Sequence, residues 1–345
     1  MKTFDNYLKE TAEAIEILQQ NFSSELEQNI GNISTKLAHL IHHFTQSCAG
    51  GKRLRGALVK LGFDMVKKST NDILEPALAY EIFQTAILAH DDIIDKSPTR
   101  RGKQSMYMAL GGEHYGISQT ICLGDIGMFI ANKLIINSKF NETAKNKGLK
   151  SFQDTLYNTG IGELLDVELP NLDMSIIDLN DILTVHQYKT SYYTFVGPLH
   201  LGAVLAEADD VLLEHLKIFG INLGIAFQIK DDILGIFSDE ATIGKSIKAD
   251  IEEKKITTIW LDALKNANEE QNKLLLEKYG KKNVSDEDIE CIKKIFIDTK
   301  ALEKSEELMN KYASIARNEI DKMNINDTYK GMLCELCDYT TGRKK

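Results

Sequence analysis

The chain is short of the residues that divide or staple a protein. Only four of its 345 residues are proline, at positions 76, 98, 170 and 198, and no Gly/Ser-rich tract separates one half from the other. With nothing to mark a linker, the organisation reads as one domain over residues 1–345. Five cysteines are present, and only Cys334 and Cys337 form a CxxC. A zinc site needs more ligands than one such pair without nearby histidines, so the two read as reduced thiols on a helix. No leader-like segment and no run of eighteen apolar residues stands out, which predicts a cytoplasmic location with no membrane insertion. Basic charge is in deficit: 41 Lys+Arg against 51 Asp+Glu give a formal net charge of −10. That balance disfavours a nonspecific nucleic-acid binder, which needs a basic surface. Small anionic substrates stay open, because basic residues can still converge locally.

Strand-like alternation is scarce as well, and apolar residues recur at helical spacing throughout. Hydrophobic types make up 43% of the chain, ample for a buried core. The predicted fold is all-α, a single helical domain with two aspartate-bearing helices facing a central apolar cavity. Ser24 with Glu27, and Ser285 with Asp288, read as helix starts. No short solenoid-type repeat is present.

The chemistry sits in two aspartate clusters. The first is His90-Asp91-Asp92-Ile93-Ile94-Asp95, leading into Arg100-Arg101. Residues 72–95 read as one helix, with Asn71 as N-cap and Pro76 near the first turn, where a missing amide hydrogen is tolerated. Asp91 and Asp95 are four residues apart and share a helix face. Like charges at that spacing destabilise a helix by roughly 0.2–0.5 kcal/mol. A divalent cation between them turns this repulsion into ligation. Pro98 ends the helix, and residues 99–103 form a basic loop. Taken alone, the cluster also fits a solvated acidic helix end. His90 reads as structural.

The second cluster is Gln228-Ile229-Lys230-Asp231-Asp232-Ile233-Leu234-Gly235, near the end of a helical stretch from Leu212 to Phe237, with Lys245 and Lys255 downstream. Carboxylates are ligands for hard cations and lysines or arginines are partners for phosphate oxygens. Both occur twice here among apolar helices, which points to a metal-bound diphosphate in an apolar cavity.

With both clusters in view, the chain resembles the trans-isoprenyl diphosphate synthases, also called polyprenyl synthetases, from about Gly50 to Thr257. The matching pieces stand in the family's order. They begin with Gly51-Lys52-Arg53-Leu54-Arg55, the first aspartate cluster with Arg100-Arg101, and Gly124-Asp125. Gly162-Glu163 with Asp166, Lys189-Thr190, Phe227-Gln228 with Asp231-Asp232, and Gly244-Lys245 with Asp250 and Lys255 follow. One departure is Gly235, where the family's second motif usually ends in a third aspartate. A helical glycine is worse than alanine by about 1 kcal/mol, and Asp239 is a candidate to compensate.

The resemblance implies a helical isoprenoid synthase fold, a homodimer, and head-to-tail (1′-4) condensation of isopentenyl diphosphate with an allylic diphosphate. Magnesium, about three ions with substrate bound, is implied on Asp91, Asp95 and Asp231, with Asp92 and Asp232 in support. Arg100, Lys189, Thr190, Gln228, Lys245 and Lys255 are implied at the allylic diphosphate, with Thr190 and Gln228 near the reacting carbons. Lys52, Arg55, Gln84 and Arg101 are implied at isopentenyl diphosphate. Gln84 stands where many members have histidine, and both side chains can donate to a phosphate oxygen.

Product length is expected to depend on the α-helical face before the first cluster. Ala86 and Ile87, five and four residues before Asp91, are not aromatic, and no residues are inserted. Phe83 lies three residues deeper, about 4.5 Å at 1.5 Å per residue. A floor at Phe83 predicts a twenty-carbon product, geranylgeranyl diphosphate; the bland alternative is that Phe83 is core packing. A farnesyl or longer-chain synthase, a terpene cyclase and a regulatory subunit are the competing readings. Lys52, Arg55 and Arg101 argue against the cyclase, which needs no second diphosphate site. The intact first cluster argues against the regulatory subunit. The basic tail Arg343-Lys344-Lys345 reads either as disordered or as a lid over the diphosphates.

Overall fold

Helix follows helix along almost all of the described chain, as the apolar spacing predicts. The computed structural model describes residues 3–238 and 247–342, and among them the only strands are a single two-residue pair. The chain divides into two compact units. The first holds Met1–Asp154, Gly197–Leu216 and Asn324–Met332; the second holds Thr155–Val196, Lys217–Met323 and Leu333–Lys345.

The first unit begins with α1 (Phe4–Ile33), whose Thr3 side chain caps the Asn6 amide. It runs through Ser24 without a break, contrary to the expected start there. The Ser24 hydroxyl instead bonds back to the Gln20 carbonyl at 3.1 Å, and Glu27 accepts from Thr45. Next come α2 (Ala38–Cys48), α3 (Leu54–Asp64) and α4 (Leu74–Ile94). The α4 start also differs from expectation. Thr70, not Asn71, accepts the first amide, and a 3₁₀ turn over Asn71–Ile73 precedes the α-helix. The basic segment after Pro98 is a hairpin, β1 (Thr99–Arg100) with β2 (Lys103–Gln104). Its two turn residues, Arg101 and Gly102, both have positive φ (53° and 74°), as two-residue hairpin turns require.

Then follow α5 (Met106–Ala109), α6 (Glu113–Ile136) and α7 (Glu142–Glu168), and later α9 (Gly197–Leu205). Helix α4 packs on α6, and α3 packs on α9. The α3–α9 contact is backbone to backbone. A Cβ at Gly62 would stand 2.2 Å from the Leu199 carbonyl oxygen, and one at Gly202 would stand 1.9 Å from that of Val59. Phe44, Leu58, Leu61, Tyr80, Phe83 and Phe152 are fully buried here, each worth roughly 1.5–3 kcal/mol of burial where aliphatic or phenyl.

The second unit contains the C-terminal part of α7, α8 (Leu179–Val185), a π-helical segment His186–Val196, and the greater part of α10 (Asp210–Phe237). Its core gathers around Trp260, which stacks on Tyr279 at 4.0 Å, with Ile259, Ile292 and Phe296. Ser285 and Asp288 form the expected capping box, and Asn268 with Gln271 forms another. Cys334 and Cys337 are free thiols on the Asp327–Gly342 helix, and burial pushes Cys337 up to about 12.

Two helices are strongly apolar although neither contains a long unbroken apolar run. Over eighteen-residue windows α6 and α10 reach mean hydropathies of 1.3 and 1.2, enough by length and composition for a membrane span. Glycines and occasional charged or polar residues interrupt their apolar sequence. Shares of 39% and 44% of these windows are buried inside the protein.

Candidate active site

In the first unit, α4 sorts its residues by face. Gln84, Ile87, Asp91 and Asp95 recur every three or four residues and are all partly exposed, whereas Phe83, Ala86 and Asp92 point into the core. Asp91 and Asp95 thus present oxygens on one accessible face, as the spacing predicted. Asp92 turns inward, its side chain only 4% exposed, and meets Arg100 from the hairpin. Arg100 forks between two acids. Its Nε donates to Asp92 Oδ1 at 2.8 Å, and Nη2 donates to Asp91 Oδ2 at 2.7 Å. Burial raises the Asp92 carboxyl to about 6, reinforced by Asp91 and Asp95 and opposed by Arg100. Burial works against the Arg100 charge, but Asp91 and Asp92 outweigh it and hold the guanidinium above its ordinary pKa.

The basic loop before α3 is not the solvated turn that its composition allowed. Lys52 is exposed, but Arg53 and Arg55 are buried. Arg53, in the left-handed region at φ 52°, donates through Nε to Glu16 at 3.0 Å and lies 3.8 Å from Glu81. Glu81 also accepts from the Gly56 amide at 2.7 Å, at the N-terminus of α3. A carboxylate there is stabilised by the helix dipole. Partial burial lowers the Arg101 pKa; Glu81 opposes this, while Arg55, Arg53 and Arg100 add to it. Arg53, Arg55 and Arg100 all lie close enough to act on Arg101, a local concentration of positive charge that an added anion relieves. A cavity of about 500 Å³ opens beside them, lined by His43, Gly51, Thr85, Asp92, Arg100 and Arg101 among others.

His90 is structural, as expected: its Nε2 donates to the Ile121 carbonyl at 3.1 Å, and its ring fills the space a Cβ at Gly124 would need. Phe83 is 1% exposed and packs edge-on against Tyr80 and Phe152, with centroids 6.2 and 5.4 Å away. It is a core ring in a three-ring cluster; Ala86 is buried as well, leaving Ile87 on the accessible face.

In the second unit, Lys189 and Thr190 lie on the π-helical segment, a form common at functional sites. Lys189 Nζ is held 2.6 Å from Asp166 and 2.9 Å from Glu163, both on α7. Helix α7 continues through Gly162. A Cβ there would stand 2.1 Å from the Lys189 backbone nitrogen, so the glycine permits close approach. Thr190 Oγ1 donates to Gln228 Oε1 at 2.7 Å, and Gln228 Nε2 donates to Asp232 Oδ1 at 2.9 Å. Asp231 is partly exposed, Asp232 is buried, and α10 runs on through Gly235 to Phe237. Lys255 is partly exposed, its carbonyl accepting from the Tyr279 hydroxyl at 2.8 Å. Lys245, Gly244, Asp239 and Arg343-Lys344-Lys345 lie outside the described residues.

Sequence reasoning missed Glu16 and Glu81 as partners of Arg53, and His186, which lies 3.1 Å from Asp232.

Among the described residues no three acidic, histidine or cysteine side chains are gathered as a ready metal cluster. Asp91 and Asp95 in the first unit, and Asp231 in the second, are partly exposed carboxylates of the kind magnesium takes together with retained waters.

A polyprenyl synthetase family model matches residues 35–296. The geranylgeranyl diphosphate synthase of Saccharolobus solfataricus is 31% identical over 326 residues, covering 91% of this chain and 92% of that protein. A short chain isoprenyl diphosphate synthase of Methanocaldococcus jannaschii is 32% identical over 241 residues, covering 70% and 71%. Relatives named farnesyl and geranylfarnesyl diphosphate synthases also match. Among solved structures, a geranylgeranyl pyrophosphate synthase from Corynebacterium glutamicum, complexed with isoprenyl diphosphate and magnesium, superposes with a TM-score of 0.90. It is 28% identical, with 99% of each chain covered.

Proposed function

The chain belongs to the polyprenyl synthetase family, with the all-α isoprenoid synthase fold, and from that premise we propose how its residues divide the work. It is a prenyltransferase that elongates trans-prenyl diphosphates. The substrates are isopentenyl diphosphate and an allylic diphosphate, joined head to tail, and the product is twenty-carbon geranylgeranyl diphosphate. The observation that carries this reading is the arginine-rich surround of Arg101, with Arg53, Arg55 and Arg100, beside the partly exposed Asp91–Asp95 face.

Asp91, Asp95 and Asp231 would hold magnesium, which would supply charge neutralisation at the leaving diphosphate. Arg100, already forked onto Asp91 and Asp92, keeps the acidic face compact before substrate arrives and meets the allylic diphosphate. Lys189 and Lys255 bind the same group, as does Lys245. Lys52, Arg55, Gln84 and Arg101 bind isopentenyl diphosphate. Thr190 and Gln228 face the reacting carbons. The allylic carbon–oxygen bond breaks, the isopentenyl double bond attacks the cation, and the departing diphosphate takes the proton that is lost. Preorganised donors favour charge as it develops on that leaving group, and apolar neighbours such as Ile87 keep water from the cation.

The protein acts in the cytoplasm as a homodimer. The exposed face of α6, with Tyr115, Ile121, Phe129 and Ile136 between 44% and 67% exposed, supports a partner there. Steady-state kinetics test the division of substrates. Arg101→Ala raises KM for isopentenyl diphosphate about tenfold or more with little change for the allylic partner. An effect confined to the allylic diphosphate reverses the assignments of Arg100 and Arg101.

A further inference from the structure

His186 belongs to none of the roles above, yet it is one of the most deeply buried titratable side chains in the second unit. Its side chain is 4% exposed, and Nε2 stands 3.1 Å from Asp232 Oδ2, itself 2% exposed. That contact is within ion-pair range, although not aligned as a hydrogen bond. From Asp232 the chain of polar contacts continues through Gln228 to the Thr190 hydroxyl, at 2.9 and 2.7 Å.

The direction of these bonds is fixed by chemistry. A carboxylate only accepts, so Asp232 takes the Gln228 amide nitrogen. The Gln228 oxygen is thereby turned to Thr190, whose hydroxyl donates to it. Were Asp232 to swing away, the amide would be free to flip, and Thr190 would face a donor. Removing one partner from a buried charged group is costly, so neighbours at both oxygens steady a buried carboxylate. Gln228 satisfies one, and His186 is the charged-capable group at the other.

The backbone holds this register. The Ser191 hydroxyl bonds the carbonyls of His186 and Ile221 at 3.1 and 3.0 Å. A Cβ at Gly224 would stand 2.3 Å from Ser191 Oγ, so the π-helical segment seats directly on α10. Gly224, Gln228 and Asp232, at intervals of four, then meet Ser191, Thr190 and His186 in turn.

We propose that His186 is a positioning residue for prenyl transfer. Acting through Asp232 and Gln228, it fixes the orientation of the Thr190 hydroxyl and of the Gln228 amide. It therefore lowers the barrier to bond breaking and leaves substrate binding almost unchanged. This rests on the prenyltransferase reading given above.

The test is a double-mutant cycle in kcat between His186→Leu and Thr190→Val, with KM for both diphosphates and thermal unfolding measured alongside. His186→Leu is expected to lower kcat about tenfold while KM stays within about twofold. His186→Gln, which keeps a donor at similar reach, restores most of kcat. In the Thr190→Val background, His186→Leu lowers kcat by less than about twofold, because the group it acts through is gone. Effects that multiply in the double mutant, or a His186→Leu protein that melts early and loses KM and kcat together without rescue by glutamine, overturn the proposal. If His186→Leu does not fold, His186→Asn, whose amide ends short of Asp232, takes its place in the cycle, and the same non-additivity decides. A wild-type protein that condenses normally while His186→Leu matches it refutes this inference alone. A wild-type protein that makes no prenyl product refutes the parent reading, and this inference falls with it.

Discussion

Asp91, Asp92 and Asp95 are the same residue type within one helical turn and a half, yet they take different parts. Two face outward as candidate ligands, and the third is buried under Arg100. The buried one makes a pH prediction. Its folded pKa is raised from 3.8 to about 6, so between those values the folded protein binds more protons than the unfolded chain. Stability from this group therefore falls as pH rises from about 4 to about 6 and is level on either side. Urea unfolding in EDTA at pH 4, 5, 6 and 7 checks this. Asp92→Asn is expected to flatten the fall, and equal slopes in both proteins contradict it. At this scale, the spacing of Asp91 and Asp95 was legible because a helix converts spacing into a shared face. The pairs Arg53–Glu81 and His186–Asp232 were not, because they join residues 28 and 46 positions apart that only tertiary packing brings together.

Helix α4 is the element on which chemistry and specificity meet. Its accessible face carries Gln84, Ile87, Asp91 and Asp95, while Phe83 packs with Tyr80 and Phe152 in the core. If this cluster forms the floor of the product channel, it does so as three rings, and removing one opens it only in part. Phe83→Ala is expected to add some longer prenyl diphosphate to the twenty-carbon product, seen by mass spectrometry of the product mixture. An unchanged product length leaves Phe83 as core packing only. The helix itself was legible from its apolar period. Its start was misplaced by a few residues because Thr70 and Asn71 are both good capping types, and only the backbone decides which one accepts. Ser24 misled in the same way: a Ser with an acid three residues on also occurs inside a helix, where the hydroxyl bonds back to the preceding turn.

For the whole molecule, the absence of linkers and the helical period anticipated the all-α fold, and seven ordered motifs anticipated the family. The two compact units were not anticipated, because their boundaries fall mostly within helices and no composition shift marks them. The exposed α6 face belongs to this scale too. Phe129, at 67% exposed, is its most accessible large ring. Phe129→Asp is expected to shift the protein from dimer to monomer in light scattering coupled to size exclusion. A dimer that withstands the change moves the interface elsewhere.

The central claim, that this chain joins two prenyl diphosphates, is tested most directly by incubating the purified protein with magnesium, labelled isopentenyl diphosphate and each allylic diphosphate in turn, and sizing the products by mass. The account predicts a twenty-carbon diphosphate that disappears in excess EDTA and in Asp91→Ala. Ionisation of the allylic substrate to hydrocarbon or alcohol, with no isopentenyl label incorporated, would contradict it.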